Sequence, residues 1–147
     1  MAANTDPIFS RLGDIGLAGG VAIGSATTGV TTDYTGITAT VNVLVYTADA
    51  TNGSFVQRLR FKAMGTNALS VARVFINNGS TVGTAGNNSF IGEINLPATT
   101  ASTTVSTPDI DYPMNFALPP GYKIYLGISA ASNLASGWAV TAFCGKY

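Results

Sequence analysis

The sequence predicts an all-β fold, a jelly-roll-like antiparallel β-sandwich with an extended N-terminal arm. Short runs in which apolar and polar residues alternate recur along the chain, and a period of two is typical of strands with one buried face. Clusters rich in glycine, proline, asparagine and threonine separate these runs. Two connections, residues 77–88 and 97–108, are long, which favours Greek-key crossings over a simple meander. The pattern predicts seven or eight strands and no helix.

The N-terminal region differs from the rest, so we divide the chain into an arm over residues 1–26 and a sandwich domain over 27–147. Five glycines fall between residues 13 and 24, and neither a helical nor a strand period persists. Apolar side chains in such an arm need a groove on their own domain or on a neighbour. An alternative is a first edge strand near residues 21–26 with a loose lead-in. The arm residues that we expect at an interface are Ile8, Phe9, Leu12, Ile15 and Leu17.

The first strand of the sandwich domain is predicted over residues 38–46, because valines alternate there with threonine, asparagine and tyrosine. The dipeptide Asn52-Gly53 follows it and is a strong signal for a hairpin turn.

The stretch from residue 55 to 79 predicts an antiparallel pair of strands, over residues 55–62 and 71–76, with a turn at Gly65 to Asn67 between them. In the first of these strands, alternating residues face the core, with one polar exception at Gln57. The core-facing set is Phe55, Leu59 and Phe61. The opposite face carries Val56 and a basic stripe of Arg58, Arg60 and Lys62.

Four more strands are predicted in the second half of the chain, over residues 90–96, 110–116, 122–128 and 138–144. Pro97 ends the first of them. Pro113 marks the second as an edge strand or a short one, because proline cannot donate a hydrogen bond to a ladder. The last strand carries Trp138 and the single cysteine, Cys144, which we expect to be a small buried residue.

The composition argues against several kinds of catalytic and binding site. The chain has no histidine, which removes the commonest general base and metal ligand. A single cysteine cannot form an internal disulfide, and the arm glycines match neither a dinucleotide fingerprint nor a P-loop. We therefore predict a protein that is not an enzyme and has no cofactor or resident metal. Charged residues make up only 10% and the net charge is zero, which favours a chain that works in an assembly.

Two carboxylates, Asp109 and Asp111, share one face of a predicted strand about 7 Å apart. They could hold Ca²⁺ or act as an acid–base pair, but a solvated strand face is favoured because no third acidic residue lies nearby in sequence. The basic stripe is either a solvated face or a protein contact, for example with Asp109 and Asp111 of another copy. Neutral overall charge argues against nucleic acid as a partner.

No membrane partner is expected either. The first nine residues, MAANTDPIF, lack the basic and apolar regions of a signal peptide, and no apolar run approaches the roughly 20 residues of a membrane span.

Several segments together resemble a family of small virion proteins of tailed bacteriophages. The segments are NTDPIF near the N-terminus, YTADATNGSFVQRLRFKAMGTN, VARVFINNGS, FALPPGYKIYLGIS and the terminal GKY, and the resemblance runs from Asn4 to Tyr147. By its size and all-β character, the chain is similar to capsid decoration, or cement, proteins. These bind the outside of the head shell, bridge subunits of the major capsid protein and oppose the pressure of packaged DNA.

The resemblance implies a structural protein of the virion with two kinds of partner, the major capsid protein and further copies of itself in a dimer or trimer. It implies a location on the capsid surface after assembly in the host cytoplasm. We expect the arm and the basic stripe at the interfaces. Two alternatives stay open: a tail or baseplate component, and a carbohydrate-binding receptor module in which Trp138 and tyrosines stack on sugars.

Overall fold

The computed structural model describes residues 12–18, 34–36, 42–129 and 136–147. These residues form eight β-strands and one turn of 3-10 helix at Ala85–Asn87. The strands are β1 (Leu12–Ala18), β2 (Val43–Thr47), β3 (Ser54–Ala63), β4 (Ser70–Asn77), β5 (Asn88–Leu96), β6 (Asp109–Leu118), β7 (Lys123–Ser129) and β8 (Trp138–Lys146). No helix in these ranges is long and apolar enough to cross a membrane.

The strands form two four-stranded antiparallel sheets that face each other across one core. Sheet A has the order β1-β8-β3-β6, and sheet B has the order β2-β7-β4-β5. Neighbours in each sheet are mostly distant in sequence, as the long connections predicted. The predicted all-β sandwich is confirmed. The domain boundary after residue 26 stays a prediction.

The core lies between the inner faces of the two sheets. Side chains with no exposed surface come from both sheets, so each sheet buries the apolar half of its alternating pattern. The large ones are Val56, Leu59, Phe61, Trp138 and Val140 from sheet A, and Val74, Leu96, Ile124 and Leu126 from sheet B.

The predicted pairing of β3 with β4 is wrong, because the two strands lie in different sheets. β3 pairs with β6 and β8, whereas β4 pairs with β5 and β7. The connection between them crosses from one sheet to the other, and the buried side chain of Asn67 holds it there. Its amide nitrogen donates to the carbonyls of Gly65 and Gly137 and to Thr99 Oγ1, and its oxygen accepts from the backbone nitrogens of Ser136 and Gly137.

The turn at Asn52-Gly53 also joins two sheets and does not close a hairpin. Asp49 organises it: its Oδ1 accepts from the backbone nitrogens of Thr51 and Asn52, each at 2.9 Å, and its carbonyl accepts from Gly53. These two side-chain contacts hold the pKa of Asp49 below its usual value. Gly53 has φ +78°, a conformation that favours glycine. The turn signal was correct, but a turn does not decide which sheet the next strand joins.

Because of a β-bulge at Gln57, the side chains at the start of β3 point to the sides of the sheet opposite to those predicted. The register of β3 against both neighbours shifts between Val56 and Arg58. As a result Val56 is fully buried and Phe55 lies on the outer face, opposite to the prediction. The polar exception at Gln57 was the sequence signal of this extra residue, because a bulge leaves one residue unpaired. After the bulge, Leu59 and Phe61 face the core as predicted.

Part of the predicted arm is the edge strand β1. Leu12–Ala18 pairs with β8 from Leu12 opposite Lys146 to Ala18 opposite Val140. Glycines at 13 and 16 interrupt its apolar pattern, which is why the sequence showed no strand period there. Ile8 and Phe9, the side chain of Leu17 and the alternative strand at 21–26 lie outside the described residues.

The predicted edge position of β6 is confirmed, since β6 is the last strand of sheet A. It contains Pro113, and Asn115 has φ +52°, which interrupts the regular backbone of this edge.

Part of the outer face of sheet B, around Phe75 and Arg73, is covered by a short segment of the same chain, residues 34–36. The Tyr34 ring meets Phe90 edge-to-face at 5.3 Å, and the Arg73 guanidinium lies 4.6 Å from the centre of the Tyr34 ring. Gly36 lies so close to Phe75 that a Cβ would stand 2.9 Å from that ring. Phe75 and Arg73 are therefore buried on this side.

Candidate interface on the outer face of sheet A

The outer face of sheet A has an ion-paired half and an apolar half. The ion-paired half carries the basic stripe of β3 and the carboxylates of β6. The apolar half lies where β1, β8 and the start of β3 run side by side. Two rows of opposed residues define it: Ile15, Phe143 and Arg58 in one row, and Gly13, Gly145 and Phe55 in the next.

The basic stripe is paired with carboxylates of the same chain. Arg60 donates from Nε and Nη2 to the two oxygens of Asp111, at 2.8 and 2.9 Å, in a bidentate contact. Lys62 Nζ lies 2.7 Å from Asp109 Oδ1, and Arg58 Nε lies 3.7 Å from Asp111 Oδ1. The prediction that these cations could meet Asp109 and Asp111 of another copy is corrected, because β6 neighbours β3 in one sheet.

The charges on this half nearly cancel. The hydrogen bonds from Arg60, with the nearby charges of Arg60 and Arg58, hold the pKa of Asp111 below its usual value, so Asp111 is ionised at neutral pH. Three cations face two carboxylates, which leaves an excess of one positive charge. Since Asp109 and Asp111 both accept from side-chain cations, they form a solvated, ion-paired strand face. No group of three or more possible metal ligands occurs in the described ranges.

Phe143 links the two halves through its ring face. The guanidinium carbon of Arg58 lies 4.3 Å from the ring centre, and that of Arg60 lies 5.8 Å away. Both distances are within the range of a cation–π contact. Arg58 also donates from Nη1 to Gln57 Oε1 at 2.9 Å. These contacts hold the two arginine side chains against Phe143 and Gln57 on this face.

A slot of about 580 Å³ opens in the apolar half. Gly13 and Gly145 lie opposite each other and contribute no side chains, which leaves a space between Phe55, Phe143 and Ile15. Gly13 is exposed and Gly145 is buried. A Cβ added at Gly13 would meet nothing within 4 Å. Ile15, beside the slot, is 58% exposed. Leu12 at the start of β1 is 66% exposed, but it alternates with Gly13 and so lies on the other side of the strand. We name this feature the glycine slot.

A polar cluster beneath the slot fastens β1 to β2. The buried Tyr46 hydroxyl lies 2.9 Å from Asp14 Oδ2 and 2.7 Å from Ser54 Oγ. Ser54 Oγ also accepts from the backbone nitrogen of Asp49, and Lys146 Nζ lies 3.4 Å from Asp14 Oδ2. This cluster could not be predicted from the sequence, because its members come from four separate strands and one turn.

The thiol and the phenol in this region are not activated. Burial, together with the negative charge of Asp14, raises the pKa of Cys144 to about 12. Burial also raises the pKa of Tyr46 above its ordinary value. A nucleophilic cysteine needs a lowered pKa, so both groups act here as neutral packing and hydrogen-bonding partners.

The free energy of unfolding should fall as the pH rises above about 9. Below the ordinary thiol pKa of 9.0, Cys144 is protonated in the folded and in the unfolded protein. Between pH 9.0 and about 12, the thiol loses its proton in the unfolded chain but keeps it in the folded protein, which favours unfolding. Tyr46 adds the same effect above its ordinary pKa of 10.0. Denaturant unfolding at several pH values measures this. In the Cys144→Ala variant, the free energy of unfolding should begin to fall closer to pH 10, the ordinary pKa of tyrosine. If the variant began to lose stability at the same pH as the wild type, the loss near pH 9 would not come from Cys144.

Trp138 does not provide a sugar-stacking platform. It is fully buried in the core at the start of β8. The carbohydrate-binding alternative therefore loses its principal candidate residue.

No family model and no curated protein matches the chain. Among solved structures it is similar to a chain of the T13 particle of the virus IBDV, with 16% identity, a TM-score of 0.40 and coverage of 100% of this chain and 35% of that one. It is also similar to the D431N mutant VP2 protein of infectious bursal disease virus, from derived T=1 particles. The identity is 16%, the TM-score is 0.31, and the match covers 99% of this chain and 36% of that one. The chain thus spans about a third of each. At these values neither likeness carries an argument about function.

Proposed function

We propose that this protein is a non-enzymatic structural component of a virion, a capsid decoration or cement protein of a tailed bacteriophage. It binds the outside of the head shell through the outer face of sheet A, bridges neighbouring subunits of the major capsid protein and stabilises them. The sequence segments that resemble small virion proteins of tailed phages support this proposal.

The observation that carries the proposal is the outer face of sheet A, where an ion-paired half with little net charge adjoins an apolar half. Ile15 is mostly exposed there, beside the glycine slot. On sheet B, residues 34–36 of the same chain cover Phe75 and Arg73, while Leu44 and Phe90 are 43% and 37% exposed. A face that combines exposed apolar side chains with internally neutralised charges loses little solvation when another protein covers it. Repetition of such a contact over a symmetric shell multiplies its strength.

The test is rebinding to phage heads that lack the protein. We expect saturable binding and a higher disruption temperature of the decorated heads. Ile15→Glu places a charge in the apolar half and should weaken binding at least about tenfold, which corresponds to about 1.4 kcal/mol. Val105→Glu is the matched control, because Val105 is 68% exposed in the loop between β5 and β6 and lies outside the proposed face.

The same assay separates the head from the tail. Co-sedimentation with purified tails and not with heads would favour the tail or baseplate alternative and overturn the decoration proposal. Equal loss of binding in both glutamate variants would show that the outer face of sheet A is not the contact surface.

A further inference from the structure

The glycine slot opens beside the point where the chain begins β1. Leu12, the first residue of β1, lies opposite Lys146, and the next pair is Gly13 opposite Gly145. The eleven residues that precede β1 are therefore connected to the structure within one residue of the slot. Their sequence, MAANTDPIFSR, contains two adjacent large apolar residues, Ile8 and Phe9, with an acidic residue at Asp6.

We propose that the glycine slot of one copy binds the Ile8-Phe9 segment of a second copy. The slot leaves a space between two phenylalanine rings, which suits an apolar or aromatic side chain from an extended segment. The excess positive charge of the neighbouring ion-paired half complements Asp6 on the incoming segment. The inference builds on the proposed role of the outer face of sheet A as a contact surface, but it concerns contact between copies.

Local chain geometry argues against filling of the slot by the same chain. To return Phe9 to Gly13, the chain would have to reverse direction at Ser10-Arg11. The tight two-residue turns that join antiparallel segments require positive φ, which glycine and asparagine supply and which serine and arginine disfavour. A segment that stayed extended at these two residues would continue away from its own β1.

The length of the segment limits where the second copy lies. Two residues lie between Phe9 and Leu12, so the extended chain spans at most about 10 Å over these three steps. The two copies must therefore meet near the Leu12 end of β1.

Two variants test the two sides of the contact separately. Gly13→Val fills the slot without a clash, because a Cβ at Gly13 meets nothing within 4 Å. Gly86→Val is its matched control, since Gly86 is equally unobstructed but lies in the exposed 3-10 turn. The double variant Ile8→Ser with Phe9→Ser removes the incoming side chains. Sedimentation velocity over a concentration series measures self-association, and thermal melting verifies that each variant is folded.

We expect Gly13→Val and the double variant each to weaken self-association at least tenfold, and Gly86→Val to leave it unchanged. Mixing the two weakened variants should restore association, because one supplies intact segments and the other supplies open slots. A mixture that stays dissociated would show that each segment fills its own slot, and wild-type association in Gly13→Val would show that the slot is not used; either result overturns the inference. No heads are present in this assay, so failure of the decoration proposal is seen independently in the rebinding assay.

Discussion

Replacing Asn67 with alanine is expected to lower the free energy of unfolding by about 3–5 kcal/mol. Several buried hydrogen bonds are lost, and the backbone nitrogens of Ser136 and Gly137 lose their acceptor, at about 1–3 kcal/mol for each such group. The Asn67 side chain is buried, and its amide group makes hydrogen-bond contacts in three separate connections of the sandwich. Chemical denaturation of wild type and variant measures the difference. The crossing between β3 and β4 depends on this side chain.

Asn78→Ala is the control for that measurement. Asn78 also makes side-chain hydrogen bonds, to Ser80 and Asn87, but it is exposed. Water replaces its lost partners, and we expect a change below about 1 kcal/mol. A similar small cost in Asn67→Ala would contradict the role given to Asn67 in holding three connections together.

Replacing Trp138 with alanine is expected to destabilise the protein by about 3–5 kcal/mol, the usual cost of deleting a large buried aromatic side chain. Trp138 has no exposed surface and heads the set of large buried side chains. A receptor module that used Trp138 to stack on sugars would instead lose binding and keep its stability. Thermal and denaturant unfolding of the variant therefore distinguish a core residue from a ligand platform.

Trp138→Phe refines this prediction. The indole Nε1 is buried and has no hydrogen-bond partner in the described part of the chain, so phenylalanine removes an unsatisfied donor while keeping most of the apolar contact. We expect a cost of less than about 1.5 kcal/mol. A loss as large as that of the alanine variant would mean that the indole nitrogen has a partner that the structure does not show.

The strands of the second half of the molecule could be predicted from the sequence, because each carries its own signal. The alternation of Ile124, Leu126 and Ile128 appears as three buried positions in β7. Pro113 correctly placed β6 at an edge. These features depend on residues within a few positions of one another, which a single sequence displays directly.

The pairing of strands could not be predicted in the same way, because it depends on residues far apart in the chain. Nothing near Gly65 to Asn67 distinguishes a turn within one sheet from a crossing between two. The partners of Asn67 are at Thr99, Ser136 and Gly137. The only sign of the bulge in the sequence was Gln57 itself, one polar residue that departs from the alternating pattern.

The candidate interface was found in part. Sequence reasoning selected Leu12, Ile15 and the basic stripe, and the structure brings Ile15 and the stripe to one sheet face. It missed Phe143, which links them, because an aromatic residue next to a buried strand position has no distinctive pattern. It also missed the glycine slot, which exists only because Gly13 and Gly145 become neighbours when β1 pairs with β8. The use of these residues as an interface remains a prediction.

The most direct test of the central claim is an electron cryomicroscopy map of heads rebound with the protein in the assay described above. We predict density for the two-sheet sandwich on the outside of the shell, with the outer face of sheet A against two neighbouring subunits of the major capsid protein. Density in which sheet A faces solvent, or a shell left bare while the protein occupies the tail, would contradict the account.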